Sequence, residues 1–220
     1  MRRTILAEGE HYHVFNRGVE KRNIFLDTPD LERFKESLKE FNSEIPIGSL
    51  FEHRFKKEGE FKLGSRTPKL VQIVCYCLNP NHFHLLLKQN HPQGIAKFMQ
   101  KLGTGYTNYF NEKYKRSGVL FQGKYKAVHI ESNEQLLHTS VYINLNNQLG
   151  SRAPKLSASS WADFEKGGLE PSALYQPSII LEQFKNPASY RKFARSSLKQ
   201  ILLTKTKQIF AWESDSQADK

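Results

Sequence analysis

Val71-Gln-Ile-Val-Cys-Tyr-Cys-Leu-Asn-Pro-Asn-His-Phe-His-Leu-Leu-Leu-Lys88 reads as a β-hairpin. Val71 to Leu78 is a β-rich apolar run, and Asn79-Pro80-Asn81 is a turn with proline suited to its first central position. His82 to Lys88 returns as the partner strand. Successive strand side chains leave opposite faces, so His82 and His84 share one face. Phe83, Leu85 and Leu87 share the other and seek a core. A two-residue turn sets Cys77 across from His84 on the histidine face. Two imidazoles on one rigid surface are half of a metal site, and whatever completes it decides the chemistry.

Working outward, His11 to Asn16 reads as a first strand, closed by Arg17-Gly18. Thr28 to Phe41 reads as a helix, with Thr28 as N-cap, Pro29 in the first turn, and Leu31, Phe34, Leu38 and Phe41 at helical spacing. Residues 52–69 are charged and contain glycine, an exposed loop or insertion at about 55–70. Beyond the hairpin, Gln93 to about Lys115 reads as a helix with Ile95, Met99, Leu102, Tyr106 and Phe110 as its apolar stripe, weakened by Gly103 and Gly105. Lys124 to Ile130 alternates as a strand. Ser132 then caps a helix to about Gln148, with Gln135 placed for a capping box. This order predicts an α+β sandwich with helices on one face of an antiparallel sheet.

We divide the chain into a main domain at 1–148, a loop-rich linker at 149–186 and a basic amphipathic C-terminal helix at 187–210. The octapeptide Leu63-Gly-Ser-Arg-Thr-Pro-Lys-Leu70 recurs as Leu149-Gly-Ser-Arg-Ala-Pro-Lys-Leu156, too short to be a solenoid unit.

The 220 residues carry a net charge of +11, which suits a polyanionic partner. No run approaches the roughly 18 apolar residues of a membrane span, and the N-terminus lacks the apolar stretch of a signal peptide. Cys75 and Cys77 are the only cysteines and are badly placed to bridge each other. The expectation is a reducing, cytoplasmic, nucleoid-associated protein without a membrane partner.

The helix beginning at Ser132 supplies the second half of the site. His138, Tyr142 and Asn146 stand at i, i+4 and i+8 and form a polar stripe. Leu137, Val141 and Leu145 form an apolar stripe about 100° round the axis. If this helix crosses the face holding His82 and His84, Asn146 can give an oxygen ligand and Tyr142 stands beside the metal. Such a set leaves positions for Mg²⁺ or Mn²⁺ to meet a phosphate oxygen, and tyrosine attack would give a phosphotyrosine. Two other readings remain: Cys77, His82 and His84 as the start of a zinc site, or a non-catalytic binder of structured DNA or RNA. His11-Tyr12-His13 is a second pair at the same spacing, which with eight histidines reads as a chance occurrence.

Tyr-Cys-Leu-Asn-Pro-Asn-His-Phe-His-Leu-Leu (76–86), Gly-Val-Leu-Phe-Gln-Gly-Lys-Tyr-Lys (118–126), Val-Tyr-Ile-Asn-Leu-Asn (141–146) and His-Val-Phe-Asn-Arg-Gly (13–18) resemble the single-tyrosine transposases. These are the IS200-like members of the HUH group, especially the REP-associated branch. The resemblance covers roughly residues 9–148. It implies an RRM-like (ferredoxin-like) antiparallel sheet with helices on one face, a catalytic-tyrosine helix on the sheet, and here a C-terminal helical extension. It implies His82, His84 and Asn146 as ligands of Mg²⁺ or Mn²⁺ and Tyr142 as nucleophile. It also implies cleavage of single-stranded DNA near hairpins, by a monomer or homodimer. The chain departs after Asn146, where the REP-associated pattern usually continues Asn-Pro-Val and this sequence has Asn147-Gln148.

Candidate DNA contacts follow from charge. Residues 101–130 hold six Lys/Arg against one acidic residue, with aromatics interleaved. Lys113, Lys115, Arg116, Lys124 and Lys126 are the candidates there, with Arg17 from the 13–18 motif. In the C-terminal stretch Tyr190, Phe193, Ala194, Ser197 and Ile201 make a docking face that leaves Arg191, Arg195 and Lys199 outward to grip phosphates.

Overall fold

The expected hairpin forms, with Asn79 pairing His82 across the two-residue turn Pro80-Asn81. In this computed structural model residues 5–45, 47–48, 50, 68–149, 154–166 and 174–218 are described, with side chains to Leu203. Most of the 52–69 loop and much of both octapeptide copies lie outside them.

The strands are β1 (His11–Arg17), β2 (Val71–Asn79), β3 (His82–Gln89), β4 (Lys126–His129) and β5 (Ala158–Ser159). The helices are α1 (Thr28–Glu40), α2 (Gly94–Lys113), α3 (Asn133–Asn144), α4 (Trp161–Lys166), α5 (Ser178–Leu181) and α6 (Pro187–Ala218). The sheet runs β4-β1-β3-β2-β5, and every neighbouring pair is antiparallel. The first four strands with α1 and α2 make the βαββαβ ferredoxin-like arrangement, to which β5 adds an edge.

β3 is central and its two faces differ as the alternation demands. Phe83, Leu85 and Leu87 are buried, and the Phe83 ring meets Phe34 of α1 at 5.3 Å. Phe34 in turn meets Tyr106 of α2 edge-on at 4.8 Å. Burying each such side chain contributes about 1.5–3 kcal/mol, enough to hold both helices on this face. A bulge between Ile73 and Cys75 resets the β2 register, so Ile73 pairs Leu87 but Cys75 pairs Leu86. One extra residue flips the later side chains, and Cys75, Cys77 and Asn79 therefore share the histidine face.

α3 lies on that opposite face against β2 and β3, and α6 packs on α3. Ser132 caps α3 by accepting from the Gln135 amide at 3.1 Å, and Gln135 Oε1 accepts from Glu131 N at 2.8 Å. Gly105 is explained by close approach: a Cβ there would lie 2.5 Å from the Phe41 ring.

Three expectations need correction. The cap of α1 is Asp27, whose carboxylate accepts from Asp30 N at 2.9 Å, and Thr28 begins the helix. α3 ends at Asn144, and Asn146–Gln148 continues as a 3₁₀ turn, so the regular stripe breaks before Asn146. The segment 149–186 is more than a linker, because β5 pairs with β2 and Phe164, Tyr175, Ile180 and Leu181 join the core. Among the described residues no helix is long and apolar enough to cross a membrane.

Candidate functional site

The turn and the strand register bring the site together. His82 lies at the start of β3, and its Nδ1 sits 2.6 Å from Asn81 Oδ1. The Asn81 amide is oriented in turn, because its Nδ2 donates to Lys21 O at 3.2 Å. Asn81 Oδ1 therefore faces His82 as an acceptor, so in the neutral ring Nδ1 carries the proton and Nε2 the lone pair. On that Nε2 side lie Asn146 Oδ1 at 3.2 Å and Asn79 Nδ2 at 3.1 Å. Asn79 Nδ2 also donates to Asn146 Oδ1 at 2.9 Å. The break after α3 thus carries Asn146 to His82, with the Asn79 amide joining two lone-pair atoms.

His84 is almost wholly buried, and its ring lies 5.1 Å from that of His82. The half-buried Tyr142 of α3 meets His84 edge-on at 5.6 Å. His82, His84, Tyr142 and Asn146 therefore occupy one locality. His138, on the same predicted stripe, instead lies 3.1 Å from Ser197 Oγ and against Phe193 of α6.

Sequence reasoning missed His13 and Asn79. His13 Nε2 is 2.8 Å from His84 Nδ1, and the His13 ring also borders Phe15 at 4.8 Å and Tyr142 at 5.9 Å. Burial pushes the His13 imidazole down to about 4, so it is neutral near pH 7. Alternation along β1 groups His11, His13, Phe15 and Arg17 on one face, a signal available in the sequence. Its pairing with β3 depends on strand order, which is tertiary.

The donor set fits a divalent ion. His82 Nε2 and Asn146 Oδ1 converge with the Asn79 amide bonded to both, and imidazole nitrogen with amide oxygen suits Mn²⁺ or Mg²⁺. Among the described residues no group of three or more His, Cys, Asp or Glu is placed to hold a metal. That speaks against the Cys77–His82–His84 zinc site, and the Asn146 oxygen is a further donor beside His82. Burial pushes the Cys77 thiol up to about 12, and its sulfur accepts from Asn79 Nδ2 at 3.7 Å.

Beside the histidines opens a cleft of about 450 Å³, lined by Arg17, Lys21 and Lys126 and, among the described residues, by no acidic side chain. Arg17 Nε donates to Gln122 Oε1, which aims the guanidinium along this wall. Lys115 and Lys124 are exposed. Lys113 is not available as a phosphate contact, because its Nζ is held at 2.7 Å by Asp27 Oδ2 and at 2.7 Å by Asp30 Oδ1. Arg116 donates to Asn111 Oδ1 at 2.6 Å and to Val119 O at 3.2 Å, shaping its own loop. Arg191 donates to Glu165 O at 2.6 Å and ties α6 to α4, whereas Arg195 and Lys199 are exposed.

No curated protein matches the chain. Among solved structures, the fold is similar to that of a REP-associated tyrosine transposase bound to a REP hairpin. That match has 11% identity and a TM-score of 0.47, over 67% of this chain and 72% of that one. A second, a candidate transposase from Deinococcus radiodurans R1, has 16% identity and a TM-score of 0.37, over 67% of this chain and 96% of the other. Residues 64–146 match the family transposase IS200 like. That segment, 83 of the 220 residues, holds the hairpin histidines, Tyr142 and Asn146.

Proposed function

We propose that the chain is a divalent-metal-dependent endonuclease and strand transferase for single-stranded DNA, acting near hairpins through a 5′-phosphotyrosine on Tyr142. The observation that carries this reading is the approach of His82 Nε2 to Asn146 Oδ1, 3.2 Å apart, beside a His84 ring that meets Tyr142. His82, His84 and Asn146 would hold Mg²⁺ or Mn²⁺. When bound, the ion polarises the scissile phosphate and favours the phenolate.

The remaining steps belong to the chain. The Tyr142 oxygen attacks phosphorus and gives up its proton, the P–O3′ bond breaks, and the departing 3′ oxygen is protonated. Tyr142 keeps the 5′-phosphate as an ester. Attack by another 3′-hydroxyl then re-forms a phosphodiester and returns the tyrosine, so the bond count is conserved. Arg17, Lys21 and Lys126 line the adjoining cleft and would take backbone phosphates. The hairpin preference rests on the motif resemblance, and the family match over residues 64–146 supports the reaction class.

A labelled oligonucleotide with a hairpin and single-stranded flank tests the reading. With Mn²⁺ the protein should form a denaturant-stable adduct, lost with chelator and in His82→Ala or Asn146→Ala. Salt-sensitive binding without an adduct under either metal would instead support the non-catalytic binder.

A further inference from the structure

The two candidate ligand histidines are supported in the same way, but by different partners. His82 has its Nδ1 against the Asn81 carbonyl oxygen and its Nε2 toward Asn146. His84 has its Nδ1 2.8 Å from His13 Nε2. At that distance one nitrogen must carry a proton and the other a lone pair. If His13 donated, a neutral His84 would carry its own proton on Nε2, where it blocks coordination. If His84 donates, its Nε2 is left unprotonated, as in His82.

We propose that His13 is a positioning residue that accepts the Nδ1 proton of His84, fixing the His84 tautomer and ring so that its Nε2 serves the site. The inference rests on the metal-site reading above. The fold builds the contact deliberately. Phe15 pairs directly with His84 across β1 and β3, so His13 is its diagonal neighbour on the same face, within reach of a long side chain. The His13 ring is nearly parallel to that of His84, 28° apart, and is walled by Phe15 and the edge of Tyr142. These contacts restrict its rotation, and a partner held in this way orients a ligand more strictly than water does. His13 would thus do for His84 what Asn81 does for His82.

The test uses the full-length protein with ¹⁵N-labelled histidine. Two-bond proton–nitrogen correlation spectra of metal-free wild type should show His84 as the Nδ1–H tautomer. In His13→Phe, which keeps the ring and loses the acceptor, Nε2–H should become populated. Calorimetric titration with Mn²⁺ should show affinity falling by about 10–100-fold in His13→Phe. His13→Gln, whose carbonyl oxygen can accept, should recover much of it. Should His13→Phe not fold, comparison of His13→Gln with His13→Leu carries the same contrast.

Wild-type affinity in His13→Phe, or a His84 tautomer unchanged by it, overturns the proposal. If wild type binds no Mn²⁺, the metal-site reading fails. The metal-free spectra then decide the His13–His84 hydrogen bond separately: an Nε2–H wild type overturns it, and an Nδ1–H tautomer lost in His13→Phe upholds it.

Discussion

Asp30 shows how much one charge can organise. Its carboxylate is fully buried yet accepts from Lys113 Nζ at 2.7 Å, Tyr114 Oη at 2.8 Å, Tyr109 Oη at 3.1 Å and Leu26 N at 2.8 Å. Lys113 therefore locks α1 to α2, and Lys113→Ala leaves a buried carboxylate without its counter-ion. The expected loss is about 3 kcal/mol in urea unfolding, with DNA affinity unchanged per folded molecule. Lys113 also donates to the Asp27 carboxylate, at 2.7 Å, and that second bond holds the Asp27 carboxyl below its ordinary value. A depressed folded value gives stability that is present above the ordinary carboxylate range and lost as pH falls through the lowered one. The acid side of the stability profile should therefore be steeper in wild type than in Lys113→Ala. In the sequence Lys113 looked like its basic neighbours, because the two aspartates that claim it lie more than eighty positions away.

At the scale of elements, the hairpin was the most legible part. A two-residue turn between apolar runs fixes both register and face, and hence where Cys77, His82 and His84 point. The α3 start was equally legible from Ser132 and Gln135, since a capping box is local chemistry. Removing that cap with Ser132→Ala should cost about 1 kcal/mol, measured by thermal or denaturant unfolding. What escaped the sequence was the end of the same helix. Helical spacing put Asn146 on a stripe with His138 and Tyr142, but the chain leaves the α-helix at Leu145 and reaches His82 through a 3₁₀ turn. His13 escaped for a related reason: spacing can group residues on a strand face, but strand neighbours are set by the whole sheet. The 149–186 segment hid its role behind Ser, Pro and Gly, while a few residues such as Phe164, Tyr175 and Ile180 dock it into the core.

Across the whole molecule the net charge of +11 becomes meaningful only where basic side chains are not already paired within the protein. Lys126 lines the cleft by the histidines, and Arg195 and Lys199 are exposed, whereas Lys113 and Arg191 are engaged internally. Lys126→Ala should weaken single-stranded DNA binding across sequences and reduce the slope of log affinity against log salt by about 0.7. Arg191→Ala should leave that slope unchanged and lower stability instead, by loosening α6 from α4. Salt titrations of the two variants separate cleft charge from scaffold charge.

The proposed role of Tyr142 is that of nucleophile in a metal-assisted DNA cleavage. It is tested most directly by digesting the covalent protein–oligonucleotide product and sequencing the modified peptide by mass spectrometry. The prediction is a 5′-phosphodeoxynucleotide on Tyr142, with no adduct in Tyr142→Phe. An adduct on another residue, or one that persists in Tyr142→Phe, would contradict it.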